Sequence, residues 1–270
     1  MTPAQDSYDE KFFEPLIAIE EKHFWFRSRN YLISQLIQRY CTGKSEESVR
    51  GMEIGCGTGN VLKYLQSKFS KQNIIGVDLF REGLQFAAER GAENLIQADI
   101  NMAPFAPGYS WIGLFDIIEH LDDDIAVLQR ISGLLLEEGY LFLSVPAFPA
   151  LWSYFDVAGK HKRRYTVETL QNSLSSAGME LVFASYTNVL IFPILWVVRR
   201  LFQSANAPEM LTEKQLDSKT NAELRIIPVV NGLLTVILQI EGKLIQSGIR
   251  MPFGTSLIGV AKRKNLIGDL

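Results

Sequence analysis

The stretch Gly51-Met52-Glu53-Ile54-Gly55-Cys56-Gly57-Thr58-Gly59-Asn60 constrains this chain more than any other, because it carries a short apolar strand into a helix through closely spaced glycines. Met52 and Ile54 fit a buried strand, and Val61, Leu62 and Leu65 recur at the spacing of a helix's inner face. Glycines between the two permit positive φ and let main-chain N–H groups approach a ligand that any Cβ would hold away. The helix adds free N–H groups and the positive end of its dipole, worth about 0.3–1 kcal/mol toward an anionic group. The pattern reads as a nucleotide-cofactor loop, with a tight structural turn as the plainer alternative. A dinucleotide fingerprint needs G-x-G-x-x-G, and Asn60 stands where its last glycine belongs; the spacing here is Glu53-x-Gly55-x-Gly57-x-Gly59.

Three further strand ends carry polar residues. Ile74 to Asp78 reads as a second buried strand, and its carboxylate falls about twenty residues past the loop, the interval at which a ribose diol is met. Asp78 is also placed to cap the helix Arg81 to Arg90. A third strand, Asn94 to Ala98, ends in Asp99-Ile100, and a fourth, Trp111 to Ile118, runs into Glu119-His120-Leu121. Polar residues gathered at the carboxyl edge of a parallel sheet are the mark of a ligand crevice.

Strand and helix patterns alternate from Val49 to Val145, which implies a parallel sheet covered by helices on both faces. Asp122 or Asp123 can cap a helix with Ile125, Leu128, Ile131 and Leu135 inside, and Tyr140 to Val145 is the fifth strand. The connection Pro146 to Tyr165 is long and rich in Phe148, Trp152, Tyr154, Phe155, Asp156, His161, Arg163, Arg164 and Tyr165. A connection of that length in a compact domain is functional or disordered, and so many aromatics argue against disorder. Thr166 caps a helix ending at Gly178; Glu180 to Tyr186 and Gly254 to Lys262 read as the remaining strands.

Two regions flank this core. Residues 8 to 40 read as a helix pair, with Phe12, Leu16 and Ile19 and then Leu32, Leu36, Ile37 and Tyr40 at helical spacing. The aromatic run His23-Phe24-Trp25-Phe26 between them reads as packing on the sheet, with ligand contact open. Between the last two strands lies an insertion: an apolar helix from about Val189 to Phe202, a polar stretch Ser204 to Asn221, and a second helix from about Ile226 to Gln246. On the latter, Asn231, Thr235, Gln239 and Gln246 form a narrow polar stripe and Ile226, Val230, Leu233, Ile237, Ile240 and Leu244 a wide apolar one, which is expected to be buried. The insertion is expected to serve as a packed cap, a dimer face, a lid over a lipophilic substrate or a membrane-surface patch. Neither greasy stretch has the roughly eighteen uninterrupted apolar residues of a span.

The ordered set of Glu53 to Gly59, Val77-Asp78, Ala98-Asp99 and Phe115-Asp116-Ile117-Ile118-Glu119-His120-Leu121 resembles the class I S-adenosylmethionine-dependent methyltransferases, in their bacterial small-molecule group. The resemblance runs from about Phe24 to Lys262, and Lys160 to Thr166 with Ala177-Gly178-Met179 is similar to the segment before the sixth strand in one subgroup. It implies a Rossmann-like α/β fold of seven mostly parallel strands, the last antiparallel, with N-terminal helices and a helical insertion. S-adenosylmethionine is the implied cofactor, S-adenosylhomocysteine the product. The implied cofactor residues are Glu53, Gly55, Cys56, Gly57, Gly59, Asn60 and Asp78 around methionine and ribose, Leu79, Asp99 and Ile100 around adenine, and Asp116, Glu119 and His120 near the sulfonium. No metal ligand set is anticipated. The expected division is 1–48 as a helical cover, 49–187 with 254–264 as the cofactor domain, and 188–253 as the insertion.

Methyl transfer is an in-line displacement, so such a site must align the acceptor, exclude water and remove a proton. His161 with Asp156 to orient it is the expected base, ahead of His120. Trp152, Tyr154, Arg163, Arg164 and Tyr165 are the expected acceptor contacts, an arginine serving if the acceptor is a carboxylate. The expected acceptor is a hydrophobic small molecule methylated at oxygen; the alternative is a catalytically silent binding protein whose insertion meets a partner or membrane. A net charge of −3 with basic residues concentrated only at Lys160 to Arg164 argues against nucleic acid. The two cysteines, Cys41 and Cys56, make no disulfide framework, and with a polar, acidic start the expected location is the cytoplasm, with peripheral membrane contact through 189–250 and a homodimer left open.

Overall fold

A computed structural model describes residues 13–41, 48–203 and 226–264. Most of the linker read between Cys41 and Arg50, the polar stretch Ser204 to Asn221, and Phe12 lie outside the described residues. The elements are α1 (Phe13–Glu20), α2 (Phe24–Tyr40), β1 (Arg50–Ile54), α3 (Asn60–Lys68), β2 (Asn73–Asp78), α4 (Arg81–Glu89), β3 (Leu95–Gln97), β4 (Tyr109–Phe115), α5 (Asp124–Leu134), β5 (Leu135–Pro146), α6 (Tyr154–Ala158), α7 (Val167–Ser176), β6 (Met179–Thr187), α8 (Phe192–Gln203), α9 (Pro228–Gln246) and β7 (Ser256–Arg263).

The strands form one sheet in the order β3-β2-β1-β4-β5-β7-β6. β1 pairs in parallel with β2 and β4, and β7 runs antiparallel to both β5 and β6. This is the Rossmann-like arrangement expected. Side-chain alternation divides the core between the two faces. Met52, Ile54, Ile112, Leu114, Leu141 and Leu143 join Leu128, Ile131, Leu170 and Leu174 on one side. Trp111, Phe142, Ile258 and Val260 join Leu36, Ile37, Leu62 and Leu65 on the other. Connections depart in opposite directions from β1 and β4, so their carboxyl ends frame a crevice.

Some boundaries move. α5 stops at Leu134, and Leu135 opens a long β5 because Gly108 and Tyr109 continue the ladder there. Asp123, not Asp122, caps α5 by accepting from Ala126 N. Asp78 does not cap α4, whose N-cap is Phe80; its carboxylate turns the chain by accepting from Phe80 N at 2.8 Å.

The largest correction concerns α9. Its buried residues are Thr235, Leu238, Glu241, Gly242 and Ile245, while Val230, Leu233, Ile240 and Leu244 of the supposed inner stripe are exposed, as are Val229 and Val236. The polar residues face inward because they tie α9 to the body. Asn231 Oδ1 accepts from Phe24 N and its Nδ2 donates to the Lys22 carbonyl. Glu241 accepts from Asn188 N at 2.6 Å and Val189 N at 2.9 Å, and Gly242 lies against Tyr31 and Leu32 of α2. By length and composition α9 is also long and apolar enough to cross a membrane, at a mean hydropathy of 1.3 over its most apolar window.

Candidate active site

The loop between β1 and α3 is held from beneath by β2. Gly57 N donates to Asp78 Oδ2 at 2.7 Å, and Gly55 N to the Val77 carbonyl at 2.7 Å. Gly55 and Gly57 adopt φ of 73° and 48°, the left-handed region, and a Cβ on Gly55 would stand 2.1 Å from Ile117 Cδ1. The N-terminal helices close the loop from above. Thr58 Oγ1 and the Arg90 guanidinium both donate to Glu20 Oε2, each at 2.7 Å. From α2, Asn30 Nδ2 donates to Asn60 Oδ1 at 2.7 Å.

A cavity of about 1370 Å³ runs from this loop along the carboxyl ends of β1, β2 and β4. Ligand pockets commonly measure about 300–1,000 Å³, so two small molecules fit side by side. At one end stand Glu53, Gly55, Cys56, Gly57, Asn60, Asp78, Leu79, Asp99, Ile100 and Asp116, and Glu119, which follows β4, lines the same cavity where the two ends meet. Of the expected cofactor residues Gly59 alone stays off the wall; its φ of 73° serves the start of α3, where a Cβ would meet Ala87. Met102, Phe13, Leu16, Glu20 and the aromatic run His23 to Phe26 also line the cavity. The aromatic run therefore borders the ligand space, its rings packed against one another.

Arg29 was not anticipated. It donates to Asp116 Oδ2 and lies over the Trp25 ring at 4.5 Å from its centroid. Its Nε and Glu53 Oε2 are buried without a hydrogen-bond partner, and both residues line the cavity. A cation and a carboxylate so placed suit the carboxylate and ammonium of a bound amino acid. Burial, opposed by Arg29 but reinforced by Asp78 and Glu20, pushes the Glu53 carboxyl well above its ordinary range. The buried polar run Ser28, Asn30, Ser34 and Gln35 on α2 was the available signal that this helix does more than pack.

Beyond Glu119 the wall consists of His120, Leu121, Phe155, His161, Lys162, Arg164, Ile191 just before α8, and the α8 residues Leu195 and Arg199. The last three are spaced by four, and the Leu195 N to Ile191 carbonyl hydrogen bond carries the first of them into the turn of α8, which identifies α8 as a cavity wall. Asp156 is the hub here and is fully buried. Ser153 and Asp156 form a capping box at the start of α6. The Arg164 guanidinium grips the same carboxylate through Nε at 2.7 Å and a second nitrogen at 2.9 Å, and His161 Nδ1 lies 2.9 Å from its Oδ1. Burial works to raise the Asp156 carboxyl, but the His161 hydrogen bond and the Arg164 charge overcome it and hold it at about 2.

His120 meets the His161 ring edge-on with centroids 4.7 Å apart. Burial, and the His161 charge after it, lower His120 to about 3, so its imidazole is neutral near pH 7. Glu119 is fully buried, and burial together with Asp116 raises its carboxyl well above the ordinary range.

The expected acceptor contacts fare less well. Arg163 pairs with Asp124 at 2.8 Å and donates to the Leu121 and Asp122 carbonyls, Tyr165 is buried with its hydroxyl donating to Asp124 Oδ2, and neither reaches the cavity. Trp152 and Tyr154 are half-buried and do not line it. Arg164 touches the cavity, yet its guanidinium is committed to Asp156 and to the Ala147 carbonyl. These arginines brace the connection because each carboxylate beside them is buried and needs a counter-charge.

A family model described as a methyltransferase domain matches residues 25–183, more than half of the chain, and the chain belongs to that family. The fold is that of the class I S-adenosylmethionine-dependent methyltransferases, and S-adenosylmethionine is the cofactor. Among solved structures it is similar to an S-adenosylmethionine-dependent methyltransferase of Thermotoga maritima, with 17% identity over 94% of this chain and 99% of that one and a TM-score of 0.54. The plantazolicin methyltransferase BpumL in complex with S-adenosylhomocysteine is 15% identical over 88% of this chain and 85% of that one, TM-score 0.55. A phosphoethanolamine N-methyltransferase of Haemonchus contortus, with S-adenosylhomocysteine and phosphomonomethylethanolamine, is 16% identical over 85% of this chain and 52% of that one, TM-score 0.53. No curated protein matches the chain in sequence.

Proposed function

We infer that the chain methylates an oxygen of a hydrophobic small molecule bound between α8 and the connection after β5. The observation that carries this reading is that one cavity has a loop end suited to the cofactor and a far end that joins Ile191 and Leu195, at the start of α8 and on it, to a histidine–carboxylate cluster. S-adenosylmethionine supplies an electrophilic methyl group on a sulfonium. Asp78 and the glycine loop hold the ribose side, with Arg29 and Glu53 at the amino-acid end. Phe155, Ile191 and Leu195 receive the apolar body of the acceptor and exclude water. The acceptor hydroxyl gives up its proton at the cluster of Glu119, His120 and His161, with His161 presented by Asp156. Residues 1–48 serve as the cover, 49–187 with 254–264 as the catalytic domain, and 188–253 as the insertion that shapes acceptor choice.

Calorimetry with S-adenosylhomocysteine followed by turnover against a panel of phenols, alcohols and amines tests this. Turnover confined to amines, or none at all, would overturn it. A second reading rests on the exposed Val229, Leu233 and Val236 of α9: a protein that binds cofactor and meets a membrane or a second copy through this face. Liposome flotation and light scattering of the intact chain, with Leu233→Asp beside it, separate the two readings.

A further inference from the structure

The cluster at the far end has the composition of a metal site. Glu119, His120 and His161 each offer one ligand atom, all within 4.8 Å of one another. Two imidazoles and a carboxylate form the donor set of open catalytic sites for zinc and related ions, which hold three protein ligands and keep a position for substrate.

The surroundings point to a missing partner. Both Glu119 carboxylate oxygens are buried with no hydrogen-bond donor, and the side chain lines the cavity. Of the arginines and lysine on the cavity wall, Arg29 is matched to Asp116, Lys162 to Asp122 and Arg164 to Asp156, and Arg199 donates to the Leu151 carbonyl. Among the described residues Glu119 has no ion pair. The two histidines are oriented from behind, as metal ligands are. Asp156 Oδ1 stands 2.9 Å from His161 Nδ1, and the main chain of Lys160 and Gly159 hydrogen-bonds the His120 ring. Lys162 N donates to the Glu119 carbonyl at 2.8 Å, pinning the segment that carries His161 against the turn that carries the other two.

We propose that Glu119, His120 and His161 bind one divalent transition-metal ion whose open position receives the acceptor oxygen. The existence of the site is independent of the proposed oxygen methylation; its catalytic role rests on that reading. A hydroxyl bound there releases its proton to solvent, because the ion stabilises the alkoxide or phenolate. The oxygen lone pair then forms a bond to the methyl carbon as the carbon–sulfur bond breaks, its electron pair passing to sulfur to give neutral S-adenosylhomocysteine. With the ion in place His161 is a ligand, and the metal performs what the imidazole would otherwise do as a base.

The test uses the full-length chain stripped with a chelator and titrated with Co²⁺, read by visible absorption, and with Zn²⁺ by competition. S-adenosylhomocysteine calorimetry on the same samples reports the cofactor end. The expected result is one Co²⁺ per chain, displaced by Zn²⁺. Glu119→Gln and His161→Gln should each abolish the band, His161→Gln should leave cofactor affinity within a few-fold, and Asp156→Asn should weaken metal affinity by about 10- to 100-fold. Absence of stoichiometric binding in the wild type, or equal binding in Glu119→Gln and His161→Gln, overturns the site. Metal binding without S-adenosylhomocysteine binding leaves the site standing and counts against the cofactor end; a metal requirement for turnover confirms the role.

Discussion

The two ends of the cavity are built on different principles. At the cofactor end the glycine loop and Asp78 are fixed by main chain: Asp78 accepts from Gly57 N and Phe80 N, and Gly55 N reaches Val77 of the adjacent strand. At the acceptor end the groups are fixed by other side chains, His161 and Arg164 by the buried Asp156 and others by partners far along the sequence. Arg163 and Tyr165 reach Asp124 some forty residues back. The first construction survives sequence change as long as the strand and turn persist; the second depends on a buried network in which each member compensates another's charge.

The contrast can be broken most forcefully at Asp156. Asp156→Ala leaves Arg164 buried and uncompensated, and the expected cost is about 3–5 kcal/mol in stability by denaturant unfolding. A loss under about 1 kcal/mol would show that the acceptor end is not a coupled network. Next in size is Asp78→Ala, which removes charged acceptors worth about 1.5–3 kcal/mol each and should lower S-adenosylhomocysteine affinity by at least about a hundredfold with unchanged helical circular dichroism. Unaltered affinity would mean that Asp78 serves only the loop.

His120 gives a pH-dependent test. Its folded pKa of about 3 lies below the ordinary 6.5, so as pH falls the unfolded chain takes up the proton first. Its contribution to stability therefore declines between about 6.5 and about 3. The slope is at most about 1.4 kcal/mol per pH unit. In chelator-treated protein, His120→Asn should flatten the acid limb of Tm against pH; a parallel limb would remove the histidine as its cause. Leu195→Ala should alter acceptor preference by about tenfold while cofactor affinity holds, since a few buried methylenes are worth about 1–3 kcal/mol. Smallest of all, Leu233→Ser on the exposed face of α9 should change unfolding stability by no more than about 0.5 kcal/mol in the dispersed chain. A larger loss that depends on protein concentration would identify that face as an interface.

By itself the sequence determined the sheet, the glycine loop and the acidic residue after the second strand, because these follow from periodicities of two and 3.6 and from what glycine alone can do. The pairing of His161 with Asp156 was legible too, since five residues separate them and one short helix turns between. Tertiary structure decided the rest. Whether Arg164 meets a ligand or Asp156, and whether α9 turns its polar or its apolar stripe inward, depends on which partners wait across the fold. A periodicity records that a helix has two faces; which face is buried is set by the surface it meets, and on α2 that surface required hydrogen bonds and close backbone approach. Arg29 reached the cavity for the same reason, from a helix whose place over the glycine loop is set by Asn30 meeting Asn60 and by α9 packed against it.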